Sequence, residues 1–272
     1  KRYIYTGPCI IDAESQKKYN EKFGGDDTHE RISDFLIMEE NKIPVYLGWG
    51  SMLGNTPEAM VVMAVKALML ADERGIILGG NAGLSFELLC KASDDQAIIA
   101  YAKKNVLFVT AASHEWLFPL VKCIVHHGGS GTTQSSLRSG VPTIVTPNFM
   151  DQFCHSRVVN ELGVGKGFSV GMQKLTYEDI GSAIKSVQTE EIIKRCEEVS
   201  IHIRRENGNA NVARVVEELL NEGDNSADSS SSQKPIVQSS YILPELVVGS
   251  MKLVLCAYAF QLLLSVVLIN VE

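Results

Sequence analysis

The run His126-His127-Gly128-Gly129-Ser130-Gly131-Thr132-Thr133 follows the apolar stretch Cys123-Ile124-Val125 and opens a helical pattern through Leu137 and Arg138. A strand, a glycine-rich turn and a helix N-terminus in that order make an anion site. Small residues let the backbone come close, unpaired N–H groups face outward, and the helix dipole favours negative charge. Thr132 and Thr133 add hydroxyl donors. The competing reading is a turn that merely packs tightly. The run is not a Walker loop, because no Gly-Lys-Ser/Thr follows, and its glycine spacing does not fit the dinucleotide pattern, which argues against a nicotinamide or flavin enzyme. A metal pair at His126-His127 is disfavoured, since neighbours on a strand end point to opposite faces and no third ligand stands at useful spacing.

Two further strand ends carry small or polar groups. Gly48-Trp49-Gly50-Ser51 places glycines and a hydroxyl after one apolar run, and Pro147-Asn148-Phe149-Met150-Asp151-Gln152 places a carboxylate beside an amide at a helix start. Taken alone, Asp151 reads as an N-terminal helix charge. Ligands of doubly wound sheets bind at such C-terminal strand ends, so the three segments together define one candidate edge. His29, His155 and His202 read as surface or packing histidines.

These segments need a scaffold, and the sequence alternates strand and helix signals from Ile43 onward. Ile43 to Gly48 is the first strand; Thr56 caps a helix with Pro57 at its first position, running to about Arg74 and apolar around most of its circumference. Further strands are predicted at Ile76 to Leu78, Val106 to Val109, Ile124-Val125 and Thr143 to Val145, with a weaker sixth near Lys166 to Val170. Helices are predicted around Leu84 to Lys91, Asp95 to Lys104 and from about Tyr177 to Leu220. Continuous apolar strands separated by helices predict an α/β fold with a doubly wound parallel sheet covered on both faces. The predicted organisation is an interdomain segment and linker over 1–42, a Rossmann-like domain over 43–221, a flexible linker over 222–240 containing Ser229 to Ser232, and a hydrophobic C-terminal segment over 241–272. Within the last, Leu253 to Ile269 is uncharged but short of the roughly 20 residues a span needs. It reads equally as a membrane anchor or re-entrant segment and as a terminal helix docking in a protein groove. Lys1 at the start and the strand-like Arg2 to Tyr5 point to a piece of a longer polypeptide.

The 272 residues carry a net charge of −7, with 45% hydrophobic and 21% charged residues, which excludes disorder or a coiled coil for the bulk of the chain. No Lys/Arg-rich run offers a duplex nucleic acid a cationic face. The six cysteines are scattered without CxxC pairs and no secretory segment leads the chain, so they read as reduced thiols of a cytoplasmic protein, membrane-associated if the C-terminal segment reaches a bilayer.

In order along the chain, Trp116-Leu117-Phe118, the run from His126 to Thr133, Leu137-Arg138-Ser139-Gly140-Val141-Pro142, Pro147, Asp151-Gln152 and Leu162-Gly163-Val164-Gly165 resemble the donor-binding signature of UDP-dependent glycosyltransferases. The match is closest to the branch of sterol 3-beta-glucosyltransferases and macrolide glycosyltransferases. It extends back through Gly48 to Ser51 to Tyr5-Thr6-Gly7-Pro8, and forward to Glu206-Asn207-Gly208, about four-fifths of the chain.

The resemblance implies the C-terminal, UDP-sugar-binding half of a GT-B enzyme built from two Rossmann-like domains. It implies that His127, the amides around Gly129 and Gly131, the hydroxyls of Thr132 or Thr133, and Ser51 bind the diphosphate. Asp151 and Gln152 would read the donor sugar, and no metal or other cofactor would be required. Ala111 stands where the plant enzymes stack uracil on tryptophan, which leaves uridine to backbone near Ala112 and to His114. Ser113 replaces the proline before that histidine, Ser135 the plant branch's ribose-binding glutamate, and Asn81 an aromatic common in the sterol branch. The family's general base belongs to an N-terminal, acceptor-binding domain, so this chain alone is expected not to turn over. The implied activity is transfer of a hexose, glucose in the sterol branch, from UDP-sugar to a sterol or other lipid hydroxyl with inversion. The alternative is a non-catalytic nucleotide-binding module, or half of a split enzyme acting with a partner chain.

Overall fold

Apolar runs and helical patterns become strands and helices in the expected order in the computed structural model, which describes residues 4, 6–19, 23–39, 42–50 and 52–225. The described residues form two compact units, one within 11–204 and one of those up to residue 10 with 205–225. In chain order the first holds α1 (Ala13–Lys18), α2 (Gly25–Met38), β1 (Val45–Gly48), α3 (Pro57–Ala71), β2 (Gly75–Leu78), α4 (Phe86–Ala92), α5 (Gln96–Asn105), β3 (Val106–Val109), α6 (His114–Leu117), β4 (Ile124–His126), α7 (Ser130–Ser139), β5 (Thr143–Val145), α8 (Gln152–Leu162), β6 (Gly165–Gly167), α9 (Tyr177–Ser186) and α10 (Glu190–Arg204).

All six strands pair in parallel in the order β3-β2-β1-β4-β5-β6. This is a doubly wound, Rossmann-like sheet. Because side chains alternate along a strand, Val45 and Leu47 enter one core with Val61, Leu68 and Ile180, while Tyr46 enters another with Ile32, Phe118 and Ile124. Both faces are covered, as the uninterrupted apolar strands require.

Several boundaries differ from the sequence reading. Helix α3 ends at Ala71, short of Arg74, because Asp72 adopts a left-handed conformation (φ 56°) and closes the helix through its backbone N–H. Arg74 turns inward instead, where it is buried against the Phe35 ring and donates to the Phe35 carbonyl at 2.5 Å. The first strand starts at Val45 and the sixth stops at Gly167. Residues 13–38 form two helices, and Ile32 and Phe35 of α2 are buried against the sheet.

In the second unit α11 (Gly208–Asn225) runs past Glu222, where the sequence predicts the linker to begin. Asn211 there donates to the Thr6 carbonyl at 2.9 Å and Asn209 to the Ile10 carbonyl at 2.7 Å. The expected strand at Arg2 to Tyr5 lies outside the described residues apart from Ile4, as do the remainder of the linker and the hydrophobic segment 241–272. Among the described residues no helix is long and apolar enough to cross a membrane.

Candidate functional site

The strand order reverses between β1 and β4, and β5 lies beside β4, so the loops leaving these three strands share one edge of the sheet. That edge is the topological switch point where doubly wound sheets bind ligands. Buried hydrogen bonds tie the loops together. Trp49, 1% exposed, donates its indole N–H to Thr146 Oγ1 at 3.0 Å, and Thr146 donates to the His126 carbonyl at 3.2 Å. Asn148 Nδ2 reaches the Leu53 carbonyl at 2.9 Å. The ends of β1, β4 and β5 are therefore fixed before any ligand arrives.

Within the turn, Gly128 has φ +89°, and a Cβ there would meet Val145 Cγ1 at 2.7 Å; both facts demand glycine. Gly129 forms the N-cap of α7 without a side-chain cap, leaving the first-turn amides of Ser130, Gly131 and Thr132 without intrahelical acceptors. Gly131 faces open space, and a Cβ on Gly129 would collide with His127 Nε2 at 2.5 Å. The imidazole of His127 thus lies over the helix entrance. Its Nδ1 is buried with no hydrogen-bond partner among the described residues. Burial lowers the His127 pKa, Asp151 pulls it up, and His155 lowers it further. An arriving anion would favour the imidazolium and satisfy the orphaned edge of the ring.

His126 is wholly buried and serves the turn. Its Nδ1 accepts from the Gly128 N–H at 3.0 Å, and its Nε2 lies 2.9 Å from Thr143 Oγ1. Among the described residues there is no group of three or more His, Cys, Asp or Glu placed to hold a metal ion.

The expected ligand groups divide into those facing the edge and those spent on the protein. Thr132 is half-buried beside Gly131 at the helix entrance. Thr133 is buried and donates its hydroxyl to the Gly129 carbonyl at 2.9 Å, so its proton is committed to the turn. Asp151 stands across from α7 and accepts from Ser130 Oγ at 3.3 Å, a contact the sequence reading missed. Gln152 is buried; its Oε1 accepts from the backbone N–H of Asn148 at 2.7 Å and Phe149 at 3.0 Å. Two donors fill the two lone pairs of that oxygen, leaving only the Gln152 amino group to offer a ligand. Ser51 lies outside the described residues.

After β3, Ala112 packs into the core on the Tyr46 face. His114 stacks on Phe118 with ring centroids 4.4 Å apart and shares a 3.0 Å hydrogen bond with the Tyr46 hydroxyl. Burial, with a smaller contribution from His127, pushes the His114 pKa down to about 4. Ser113, where the family has proline, caps α6 and donates to Gln16 of α1 at 2.5 Å. Asn81 is exposed in the turn Gly80–Ala82. His155, read as a surface or packing histidine, is buried and donates to the Gly128 carbonyl at 2.6 Å.

Residues 82–221 match the family model described as "Erythromycin biosynthesis protein CIII-like, C-terminal domain". The chain is 37% identical over 206 residues to a sterol 3-beta-glucosyltransferase of Yarrowia lipolytica, covering 75% of this chain and 13% of that protein. A second sterol 3-beta-glucosyltransferase, from Komagataella phaffii, is 36% identical over 177 residues, covering 62% and 13%. The crystal structure of the glycotransferase of kitacinnamycin superposes with a TM-score of 0.57 at 20% identity, over 80% of this chain and 49% of that one, and shares the fold. The chain thus spans about an eighth of the length of the curated relatives it matches. It belongs to the erythromycin biosynthesis protein CIII-like C-terminal domain family, as a glycosyltransferase C-terminal domain related to the sterol glucosyltransferases.

Proposed function

We propose that this chain is the donor-binding half of an inverting UDP-hexosyltransferase, taking glucose from UDP-glucose to the hydroxyl of a sterol or other lipid. The observation that carries the reading is the uncapped N-terminus of α7 at the switch point, roofed by His127 and faced by Asp151. The diphosphate would lie on the amides from Gly129 to Thr132, with the Thr132 hydroxyl and His127 beside it, Ser51 as a further donor, and the uridine toward Ala112 and His114. Asp151 would accept from sugar hydroxyls and the Gln152 amino group would donate.

In the transfer, the acceptor oxygen bonds to the anomeric carbon while its proton passes to a base supplied by an N-terminal domain or partner chain. The bond from that carbon to the phosphate oxygen breaks, and its electron pair leaves with UDP. Amides and a dipole already aimed at the phosphates stabilise this developing charge without reorganising, and no metal is needed. Phe149, 58% exposed, and Met150, 54% exposed, stand next to Asp151 and support an apolar acceptor. A cytoplasmic site with segment 241–272 in contact with the acceptor's membrane suits that substrate; carbonate extraction reads this directly.

Calorimetric titration with UDP and UDP-glucose in EDTA tests the proposal. Binding is expected without metal, weakened about tenfold or more for both ligands by His127→Ala, the scale of a lost charged hydrogen bond. Asp151→Ala should weaken UDP-glucose and spare UDP. Absence of UDP binding by the folded chain would favour the module without catalysis.

A further inference from the structure

We propose that His155 is a positioning residue for the diphosphate site: from one turn inside α8, its Nδ1–H holds the Gly128 carbonyl and so aims the Gly129 N–H at the anion. This inference rests on the nucleotide reading above. A carbonyl can only accept, so at 2.6 Å the His155 Nδ1 carries the proton. At its other end, Gly128 gives its amide N–H to His126 Nδ1 at 3.0 Å. Gly128 is thus gripped by two buried imidazoles from different elements, β4 and α8.

The reason lies in the geometry of one peptide unit. The carbonyl of Gly128 and the N–H of Gly129 belong to the same planar trans peptide and point in opposite directions; the chain has no cis peptide among the described residues. Turning the carbonyl toward α8 therefore sends the Gly129 N–H away from α8. A peptide between two glycines has no Cβ to resist rotation, and Gly128 already sits at φ +89°. Without His155 the unit can flip and present a carbonyl oxygen where an anion must sit. A partial negative charge would then replace a partial positive one. The bond also joins the turn to α8, one turn from Asp151 and Gln152, so the two halves of the proposed donor site share one fixed peptide.

The test is a pair of variants in the full chain. His155→Asn retains a donor nitrogen near the position of Nδ1, while His155→Leu keeps comparable bulk and no donor. In titrations with UDP, the Leu variant is expected to weaken binding about tenfold, the scale of a lost hydrogen bond, and the Asn variant to stay within about threefold of wild type. Uridine, which lacks the diphosphate, should change less than about twofold in either, a selectivity that general loosening of the fold would not produce. A protected imidazole N–H resonance, present without ligand and lost in His155→Leu, reads the bond itself. UDP affinity unchanged in the Leu variant, equal losses in Leu and Asn, parallel loss of uridine, or absence of that resonance overturns the inference. If the wild-type chain shows the resonance but does not bind UDP, the nucleotide reading fails and this role with it; wild-type binding with an indifferent Leu variant overturns this role alone.

Discussion

His114 shows how much a buried neutral imidazole can couple a site to solvent conditions. Its pKa falls to about 4, chiefly through burial, against an ordinary value of 6.5. Between those values the unfolded chain binds a proton that the folded chain refuses, so stability falls as pH drops from about 6.5 to about 4 and levels off below. The full span is worth at most about 3 kcal/mol. His126, also driven well below its usual value by burial, adds in the same direction. Urea unfolding at pH 7 and pH 4.5 should show this loss, and His114→Gln, which can still bond the Tyr46 hydroxyl, should remove only the His114 share. An equal loss in the variant would place the acid sensitivity elsewhere. The residue scale is also where the sequence was least legible. Thr133 and Thr132 are adjacent and chemically alike, yet one hydroxyl is consumed by the Gly129 carbonyl and the other is not. His155 meets Gly128 across 27 residues, a pairing that no local spacing announces.

At the scale of elements, the glycine turn, its strand and its helix were legible because each depends on short-range chemistry: apolar β-branched runs, glycines and a helix start. Helices α1 and α2 were not: they lie in the stretch 1–42 read as an interdomain segment and linker, and Gly24 and Gly25 take positive φ at the entry to α2. Thr28, Ile32 and Phe35 at helical spacing were the available signal, and all three are buried. What keeps the strand ends in register is the chain from Trp49 through Thr146 to the His126 carbonyl. Trp49→Phe retains a large ring but deletes the indole N–H, leaving Thr146 to find another donor. The expected cost is about 1–2 kcal/mol in urea unfolding, with weaker UDP binding because the β1 and β4 loops lose their tie. Unchanged unfolding and unchanged affinity would show that packing alone holds the edge.

For the molecule as a whole, the sheet order brings the ends of β1, β4 and β5, and with them His127, the α7 entrance and Asp151, to one edge, and the exposed Phe149 and Met150 extend that edge with apolar surface. Met150 holds a left-handed conformation (φ 44°), uncommon for a side chain of its size and found most often at functional loops. Phe149→Ser, assayed with the acceptor-binding domain present, should raise the KM for a sterol acceptor about tenfold, the low end of what burying one aromatic side chain is worth, while leaving that for UDP-glucose within about twofold. Equal effects on both would assign Phe149 to donor binding or to the fold.

The central position of β1 has a consequence for how the chain is made. Of the six strands of this sheet it is the first to be synthesised and one of the two central ones: Val45 pairs with Gly75 on one side, and Tyr46 with Ile124 on the other. The half-sheet β3-β2-β1 can close once Val109 has emerged, but its growing edge stays open until β4 is synthesised. That edge is Val45-Tyr46-Leu47, a short apolar strand with unpaired backbone groups, the kind of surface that captures other unfinished chains. Once β4 is made the open edge passes to Ile124–His126 and then to β5, so the sheet presents one short buried-type edge at each pause in synthesis until the glycine-bounded β6 ends it.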